Sequence, residues 1–345
     1  MKVLHVLNSR IYSGAEKVAC QIIHSFETGE KVHMVYSSPY SENVEQMVGG
    51  QGVTYLPLEK MSISELSRVL RQEKPDIIHA HDMRASFFSA LCCGRTPLVC
   101  HIHNNAYNAR GLSLKSILFL LAGAKAKKIL WVSQSSFEGY LFHKFFAKKS
   151  SVLFNILDIK QIYEKKEQDD HSYSFDMIYV GRLTYQKDPQ RLMRLCAKIK
   201  EHKSDLKVAV VGTGELEEET KQLCAELGLK DNVQFLGFQS NPIKMIADSK
   251  ALVLTSRWEG TPMCALEALA LGTPVVSTPS DGMMDLIENG VHGYLHEGDE
   301  QLAQSLLKIL LDPEHQAELS RNAVEKSVRI NDEEAYKQAI LSCYR

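Results

Sequence analysis

Residues 258–272, read as WEGTPMCALEALALG, constrain the fold more strongly than any other stretch of the chain. Apolar runs of strand length flank this stretch, ALVLTS at 251–256 and TPVVST at 273–278. A helix between two apolar strands is typical of a βαβ unit, in which parallel strands need a crossover connection. The sequence therefore predicts a parallel sheet with helices on its faces.

Three residues predict where the helix begins and ends. Thr261 is a favourable N-cap, Pro262 suits the first helical position, and Gly272 suits a left-handed residue after the last turn. We expect a helix over about 262–271, and it is apolar on every face apart from Glu267. A helix of this composition is typical of a protein interior.

Glu267 is costly on a buried helix unless a polar group meets it, and Glu259 is the second acid of the region. The Glu267 side chain leans towards the N-terminus of its helix, so the two carboxylates are expected to face one cleft. The first-turn amides of Met263 and Cys264 would lie between them and bind an anion such as a diphosphate. The alternative is that both acids are ordinary surface residues.

Size and composition restrict the class of protein. A chain of 345 residues with 44% hydrophobic content accommodates two domains. The longest apolar run, residues 116–124, is too short to span a membrane. Eight cysteines without a C-x-x-C pattern indicate reduced core thiols, and thirteen histidines lack any metal-ligand spacing. We predict a cytoplasmic protein without a metal centre, a cofactor or a nucleic-acid partner.

Short apolar runs alternate with helical patterns along nearly the whole chain, for example KVLHVL at 2–7, PLVCHIH at 97–103 and FDMIYVGRL at 175–183. This alternation predicts two doubly wound α/β domains. The polar run at 164–173 predicts the linker between them.

Two glutamates separated by seven residues, followed by Ala-Leu-Ala-x-Gly-x-Pro-Val-Val, resemble the signature of the family 4 glycosyltransferases. The resemblance implies the GT-B fold, two Rossmann-like domains facing a central cleft. We expect an acceptor-side domain over 1–163, a donor-binding domain over 164–328, and a final helix at about 329–345 that packs back on the first domain. The metal-dependent GT-A glycosyltransferases use an Asp-x-Asp motif, which this chain lacks.

In the first half, the resemblance implies two site residues. Gly14 lies in a turn similar to the Gly-Gly-Ala-Glu turn of the family, with Ser13 in place of the first glycine. His103 lies where the family has a histidine that contacts the donor sugar. The alternative is that His103 has only a structural role, with its ring nitrogens hydrogen-bonded within the protein. Ile156 occupies the position of a family glycine, so the turn there departs from the family pattern.

Arg182 and Lys187 follow a buried strand, at the edge of the sheet where a diphosphate would lie, and the family has two cations at this spacing. Solvated surface charge is the alternative for both. Gly214 follows the next strand, and Phe238 lies where family members hold the nucleotide base. The stretch 281–295 is similar to the Gly-x-x-Glu-x-Ile stretch of the family, with Asp285 in the acidic place.

The resemblance implies transfer of a sugar, with retention, from a nucleotide donor to a glycan or polyprenyl-linked acceptor, with a UDP-sugar favoured. Glu267 would hold the ribose, Glu259 the sugar, and Thr261 would join the donor site. Three alternatives remain. They are another GT-B enzyme such as a nucleotide-sugar epimerase, a catalytically silent sugar-nucleotide binder, and a dinucleotide dehydrogenase, which the missing G-x-G-x-x-G pattern disfavours.

Residues 110–150 hold eight Lys and Arg against one acid, Glu138, and place Leu and Phe beside Lys. This composition favours peripheral contact with an anionic membrane, where a lipid-linked acceptor would be found. The alternative is that Ile117, Leu118, Leu120 and Leu121 form the buried face of an ordinary helix, with the lysines at its solvated edge.

Overall fold

The structure is a computed structural model that describes residues 1–26, 32–103, 107–280 and 282–345, without the side chain of Tyr107. The chain divides into two compact units. Unit 1 comprises Met1–Asn155 and Glu333–Arg345, and unit 2 comprises Ile156–Asp332.

Unit 1 is built on a seven-stranded parallel sheet with the strand order β3-β2-β1-β4-β5-β6-β7. The strands are β1 Lys2–Val6, β2 His33–Pro39, β3 Tyr55–Leu58, β4 Ile77–Ala80, β5 Leu98–Ile102, β6 Lys128–Trp131 and β7 Ser150–Val152. Its helices are α1 Gly14–Ser25, α2 Glu42–Gly49, α3 Ile63–Glu73, α4 Met83–Cys92, α5 Leu114–Lys125, α6 Gln134–Glu138 and the C-terminal α15 Glu333–Tyr344. Two 3₁₀ helices span Tyr107–Ala109 and His143–Lys149.

Unit 2 has a six-stranded parallel sheet with the order β10-β9-β8-β11-β12-β13. The strands are β8 Met177–Val180, β9 Val208–Val211, β10 Val233–Gly237, β11 Ala251–Leu254, β12 Val275–Ser277 and β13 Gly293–Leu295. The helices are α7 Ile159–Glu167, α8 Pro189–Lys200, α9 Glu217–Glu226, α10 Ile243–Ala247, α11 Met263–Ala270, α12 Gly282–Leu286, α13 Asp299–Leu311 and α14 Pro313–Ile330.

Both units are therefore doubly wound Rossmann-like folds, as the alternation of apolar runs predicted. In each sheet the strand order reverses once, between β1 and β4 in unit 1 and between β8 and β11 in unit 2. Successive connections leave in opposite directions at such a point, and a crevice opens beyond the carboxyl ends of the two strands. These two switch points are where ligand-binding residues are expected.

The region around the predicted linker differs from the expectation. The run 164–173 begins inside α7, which belongs to unit 2, and the units divide between Asn155 and Ile156. Asp158 caps α7 through a bond from Gln161 N, and Tyr163 Oη donates to Ala270 O at 3.1 Å. The charged composition of the run reflects the solvated face of a short helix.

The sequence pattern over residues 135–146 predicts one continuous helix, and this prediction is wrong. The α-helix ends at Glu138 with Gly139 as its C-cap, and a 3₁₀ helix follows from His143. Among the described residues, no helix is long and apolar enough to cross a membrane.

Candidate functional site

The switch point of unit 2 brings two loops together. Residues 181–188 follow β8, and residues 255–262 follow β11. The loops are bonded along their length, because Thr255 Oγ1 donates to Asp188 O at 2.9 Å and Arg257 N donates to Gln186 O at 2.8 Å. The loop conformations at this crevice are therefore interdependent.

A buried ion pair lies across this crevice. Lys187 Nζ donates to Glu259 Oε1, and the two side chains are 13% and 7% exposed. Ser256 Oγ donates to the same carboxylate oxygen at 2.5 Å. Burial lowers the pKa of Lys187, but the Glu259 carboxylate and Cys264 together outweigh burial, and the pKa lies above its usual value. The ammonium group is thus held charged inside the protein.

Arg182, Tyr179 and Cys264 surround the ion pair. Cys264 raises the pKa of Lys187 and Arg182 lowers it, so both residues lie near the ammonium group. Arg182 is exposed. Tyr179 is fully buried, and burial together with Glu259 raises the pKa of its phenol. The structure thus brings together Arg182, Lys187, Glu259 and Cys264, four of the residues that the sequence singled out.

Sequence reasoning missed the residues that support this cluster. Asp188 is buried, has a left-handed φ of 47° and caps α8 through a bond from Arg191 N. It pairs with Arg257 at 2.7 Å, and the Arg257 guanidinium lies 4.4 Å from the centroid of the Tyr185 ring. Polar residues in loops carry little signal of such pairings before the fold is known.

Glycines shape the neighbouring edge of the sheet. Gly212 has φ +129°, and a Cβ there would lie 2.0 Å from Gly181 O. A Cβ on Gly214 would lie 2.3 Å from Leu183 O. Close backbone packing therefore requires glycine at both positions. Phe238 follows β10 directly and is 45% exposed.

Helix α11 differs from the expectation at its first residue. Pro262 is the N-cap with an extended backbone, so Thr261 does not cap the helix. The pre-proline position disfavours helical geometry, which keeps Thr261 outside it. Thr261 is 7% exposed. The predicted left-handed end is confirmed, because Gly272 has φ +74°.

The predicted burial of α11 is confirmed at all eight positions, including Glu267 at 3% exposure. Met263 and Cys264 are each 8% exposed and form the first turn of the helix. Helix α12 carries the exposed Asp285, and Asp281 lies outside the described residues.

Gly14 and His103 belong to unit 1. Gly14 is the first residue of α1, and the preceding Ser13 forms a capping box with Glu16. Ser13 N and Oγ donate to Glu16 Oε2 at 2.9 and 2.8 Å, and Glu16 is 1% exposed. Ser13 thus caps the start of α1 at the position where the family has glycine.

His103 belongs to a layer of histidines that the sequence did not indicate. The layer consists of His5, His79, His81, His101 and His103. His5 on β1 is paired in register with His79 on β4. Side chains two residues apart on a strand share a face, which places all five rings on one side of the sheet. Four of them are fully buried, and His103 is part-buried at the end of β5. Residues 104–106, which follow His103, lie outside the described residues.

Three of these rings form a hydrogen-bonded chain, defined here as the His5–His81–His103 chain. His5 Nδ1 and His81 Nε2 are 2.8 Å apart, and His81 Nδ1 and His103 Nε2 are also 2.8 Å apart. His79 Nδ1 bonds instead with Tyr344 Oη on α15 at 2.7 Å. Nitrogen atoms of His81, His101 and His103 also lie within 4.8 Å of one another, a grouping that no spacing in the sequence indicated.

Burial lowers the pKa of every ring in this layer. The pKa values of His5 and His103 fall to about 3, and those of His79, His81 and His101 lie well below the usual value. The neighbouring imidazoles lower the pKa values of the last three further. All five rings are therefore neutral at pH 7.

Two known protein families together match most of the chain. Residues 13–161 match the family Glycosyltransferase Family 4, and residues 161–326 match the family Glycosyl transferases group 1. The chain belongs to the family 4 glycosyltransferases, with the GT-B fold.

Three relatives in this family are 23–31% identical to this chain over the aligned residues. An uncharacterised glycosyltransferase of Methanocaldococcus jannaschii is 30% identical over 65% of this chain and 63% of its own length. The N-acetylgalactosamine-N,N'-diacetylbacillosaminyl-diphospho-undecaprenol 4-alpha-N-acetylgalactosaminyltransferase of Campylobacter jejuni is 31% identical over 63% of this chain and 59% of its own length. The matches thus span about three fifths of these two relatives. An Escherichia coli UDP-Gal:alpha-D-GlcNAc-diphosphoundecaprenol alpha-1,3-galactosyltransferase is 23% identical over 86% of this chain and 84% of its own.

Solved structures share the fold. The Anabaena protein HepE, crystallised with UDP-glucose, has a TM-score of 0.85 at 21% identity over 99% of this chain and 98% of its own. The lipopolysaccharide outer core galactosyltransferase WaaB has a TM-score of 0.71 at 20% identity over 99% of both chains.

Proposed function

We propose that this chain transfers a sugar from a nucleotide donor to a glycan or lipid-linked acceptor, with retention at the anomeric carbon and without a metal ion. UDP-hexose or UDP-N-acetylhexosamine is the favoured donor. The observation that carries the proposal is the buried Lys187–Glu259 pair at the switch point of unit 2, beside the exposed Arg182.

The leaving group in such a reaction is a nucleoside diphosphate, which gains negative charge as the glycosidic bond breaks. Lys187, Arg182 and the first amides of α11 at Met263 and Cys264 are preorganised donors for that charge. Preorganised cations and amides stabilise a leaving diphosphate without a metal. Formation of this complex moves Lys187 from Glu259 towards phosphate.

The other assignments keep the roles that the family resemblance implies. Glu259, released from Lys187, accepts from hydroxyl groups of the sugar, and the buried Glu267 accepts from the ribose. Gly214 and Thr261 line the backbone beside the phosphates, and Phe238 offers an exposed ring for the base. In unit 1, Gly14 opens α1 and His103 donates to the donor sugar.

The comparisons support the choice of substrates. HepE was crystallised with UDP-glucose, and the Campylobacter jejuni and Escherichia coli relatives carry undecaprenol-linked acceptors in their names. A polyprenyl-linked or polysaccharide acceptor is therefore proposed here as well. We assign no covalent nucleophile.

The proposal is tested by screening UDP-, GDP- and ADP-sugars for a rise in melting temperature and for acceptor-dependent release of the diphosphate. Glu259→Gln should lower turnover about a hundredfold, as the loss of one transition-state contact does. Glu201→Gln, a matched change at an exposed residue of unit 2, should leave turnover unchanged. Release of a free sugar with inverted configuration at a ring carbon would indicate the epimerase instead. Binding of a sugar nucleotide without turnover would indicate the silent binder.

We also propose that the protein makes peripheral contact with an anionic membrane. Four apolar side chains around α5 and the His143–Lys149 helix are strongly exposed, namely Leu112 at 79%, Leu114 at 73%, Leu121 at 56% and Phe145 at 78%. Ile117 is 42% exposed, so Ile117 and Leu121 do not form the buried face that the alternative required. Exposed Lys115, Lys125, Lys144 and Lys148 lie in the same region.

Lysines close to an anionic leaflet each contribute about 1 kcal/mol, and this contribution falls with salt. Charge reversal at Lys144 and Lys148 should abolish low-salt co-sedimentation with vesicles that contain phosphatidylserine. Lys149 is unsuitable for this test, because its ammonium caps α5 through Ala124 O and Ala126 O. Reversal at the exposed Lys60 and Lys230 is the control. Equal sedimentation of the two double variants would contradict membrane contact.

A further inference from the structure

The His5–His81–His103 chain restricts the positions of its own protons. Each of its two hydrogen bonds joins Nδ1 of one ring to Nε2 of the next. A neutral imidazole carries one N–H, so each ring is a donor at one nitrogen and an acceptor at the other. If His81 carries its proton on Nε2, His5 and His103 must do the same. If His81 carries it on Nδ1, all three carry it on Nδ1.

The His5–His81–His103 chain therefore has two states, and in each state all three rings are in the same tautomer. In the all-Nε2–H state the unshared proton lies on His5 Nε2, and in the all-Nδ1–H state it lies on His103 Nδ1. Within the described residues, neither of these end nitrogens has a hydrogen-bond partner. Each state thus leaves one buried N–H without an acceptor, which is costly.

The two ends of the His5–His81–His103 chain differ in position. The end nitrogens of both are covered, but His5 is fully buried within the sheet, whereas His103 is part-buried and follows β5 at its carboxyl end. Ligands of doubly wound sheets bind beyond the carboxyl ends of the strands, so a ligand oxygen is expected to meet the unshared proton at the His103 end. Its arrival selects the all-Nδ1–H state, because that state then has no unpaired N–H.

A metal ion fits this arrangement poorly. Nitrogen ligands at 2.0–2.1 Å from a tetrahedral ion lie roughly 3.3 Å apart. The two bonded nitrogen pairs of the chain are 2.8 Å apart, and both nitrogens of His81 are already shared with another ring. The close spacing is that of hydrogen bonds between neutral rings.

We propose that His81 and His5 are positioning residues that set the tautomer of His103, so that His103 presents Nδ1–H to a hydroxyl oxygen of the donor sugar. The identity of that ligand rests on the proposed function. The tautomer coupling itself rests only on the hydrogen-bond pattern. A fixed neutral donor recognises a sugar hydroxyl without placing a charge beside it.

The first test is ¹⁵N nuclear magnetic resonance of the imidazole nitrogens in the full chain, without and with UDP-glucose. We expect His5, His81 and His103 to share one tautomer in the free protein, and to be all Nδ1–H with the nucleotide sugar. Mixed tautomers among the three rings would overturn the inference, whatever the protein binds. If UDP-sugars have no effect on any resonance, the proposed function fails, and a common tautomer in the free protein still supports the coupling.

The second test uses substitutions at His81. His81→Phe removes the partner of His103 while keeping an aromatic ring, and we expect about a tenfold loss of kcat/KM, the equivalent of one hydrogen bond. His81→Asn retains an amide N–H near the Nδ1 position and should restore activity to within about threefold of wild type. His79→Phe, in the same layer but outside the chain, is the matched control. Equal losses for His81→Phe and His79→Phe would assign the effect to packing and contradict the inference.

Discussion

Removal of one partner from the Lys187–Glu259 pair should destabilise unit 2 strongly. In Lys187→Met, the Glu259 carboxylate keeps its bond from Ser256 Oγ but loses its counter-charge, and its side chain is only 7% exposed. Breaking a buried ion pair from one side costs about 3–5 kcal/mol, because a buried charge is left uncompensated. Unit 2 spans Ile156–Asp332. In a domain of that size each kcal/mol shifts Tm by about 2–4 °C, so a fall of roughly 6–20 °C is expected.

The double variant Lys187→Met/Glu259→Gln separates charge from packing. It removes both charges and keeps similar volumes, so it should recover most of the lost stability.

Urea and thermal unfolding followed by circular dichroism, with nucleotide absent, measure these differences. A single variant within 1 kcal/mol of wild type, or a double variant less stable than the single one, would refute the reasoning.

Three further predictions concern other parts of the chain. The pKa of His5 is about 3 in the folded protein, so the free energy of unfolding should fall as the pH drops below about 6.5, by about 2 kcal/mol at pH 5 from this ring alone. Urea titrations should show a weaker pH dependence of this free energy in His5→Phe. An equal pH dependence in both proteins would contradict the assignment of the effect to His5. Gly212→Ala should cost roughly 3 kcal/mol or more, because φ is +129° and the new Cβ meets Gly181 O. Gly228→Ala, with φ +67° and no atom within 4 Å of the new Cβ, should cost about 1 kcal/mol in the same unfolding assay, and equal costs would exclude the close approach as the reason. Donor turnover should survive EDTA within about twofold, since preorganised cations and amides are proposed to hold the diphosphate; loss of turnover restored by Mn²⁺ would contradict this.

The sequence predicted the features that depend on local pattern. The buried α11 between two strands, the left-handed Gly272 and the alternation of strands and helices all follow from periodicity and glycine placement. Helices α2 and α7 were missed, because their sequences are short and polar and resemble loops. The N-cap was misplaced by one residue, since Thr261 and Pro262 both suit a helix start.

The candidate site was predicted only in part, because its pairings join distant segments. Lys187 and Glu259 were singled out separately, and their direct contact depends on the order of β8 and β11 in the sheet. The histidine layer depends on the register of β1, β4 and β5, which no spacing within one strand reveals. The exposure of Ile117 and Leu121 likewise depends on which face of α5 the sheet covers.

Calorimetric titration of a UDP-sugar, together with initial rates, tests the proposed donor site most directly. Glu267→Ala should weaken binding of the UDP-sugar about tenfold, because a buried acceptor for the ribose is lost. Glu259→Ala should bind the UDP-sugar with nearly unchanged affinity and transfer the sugar about a hundredfold more slowly. Affinities and rates equal to wild type in both variants would contradict the assignment of this site to the sugar-nucleotide donor.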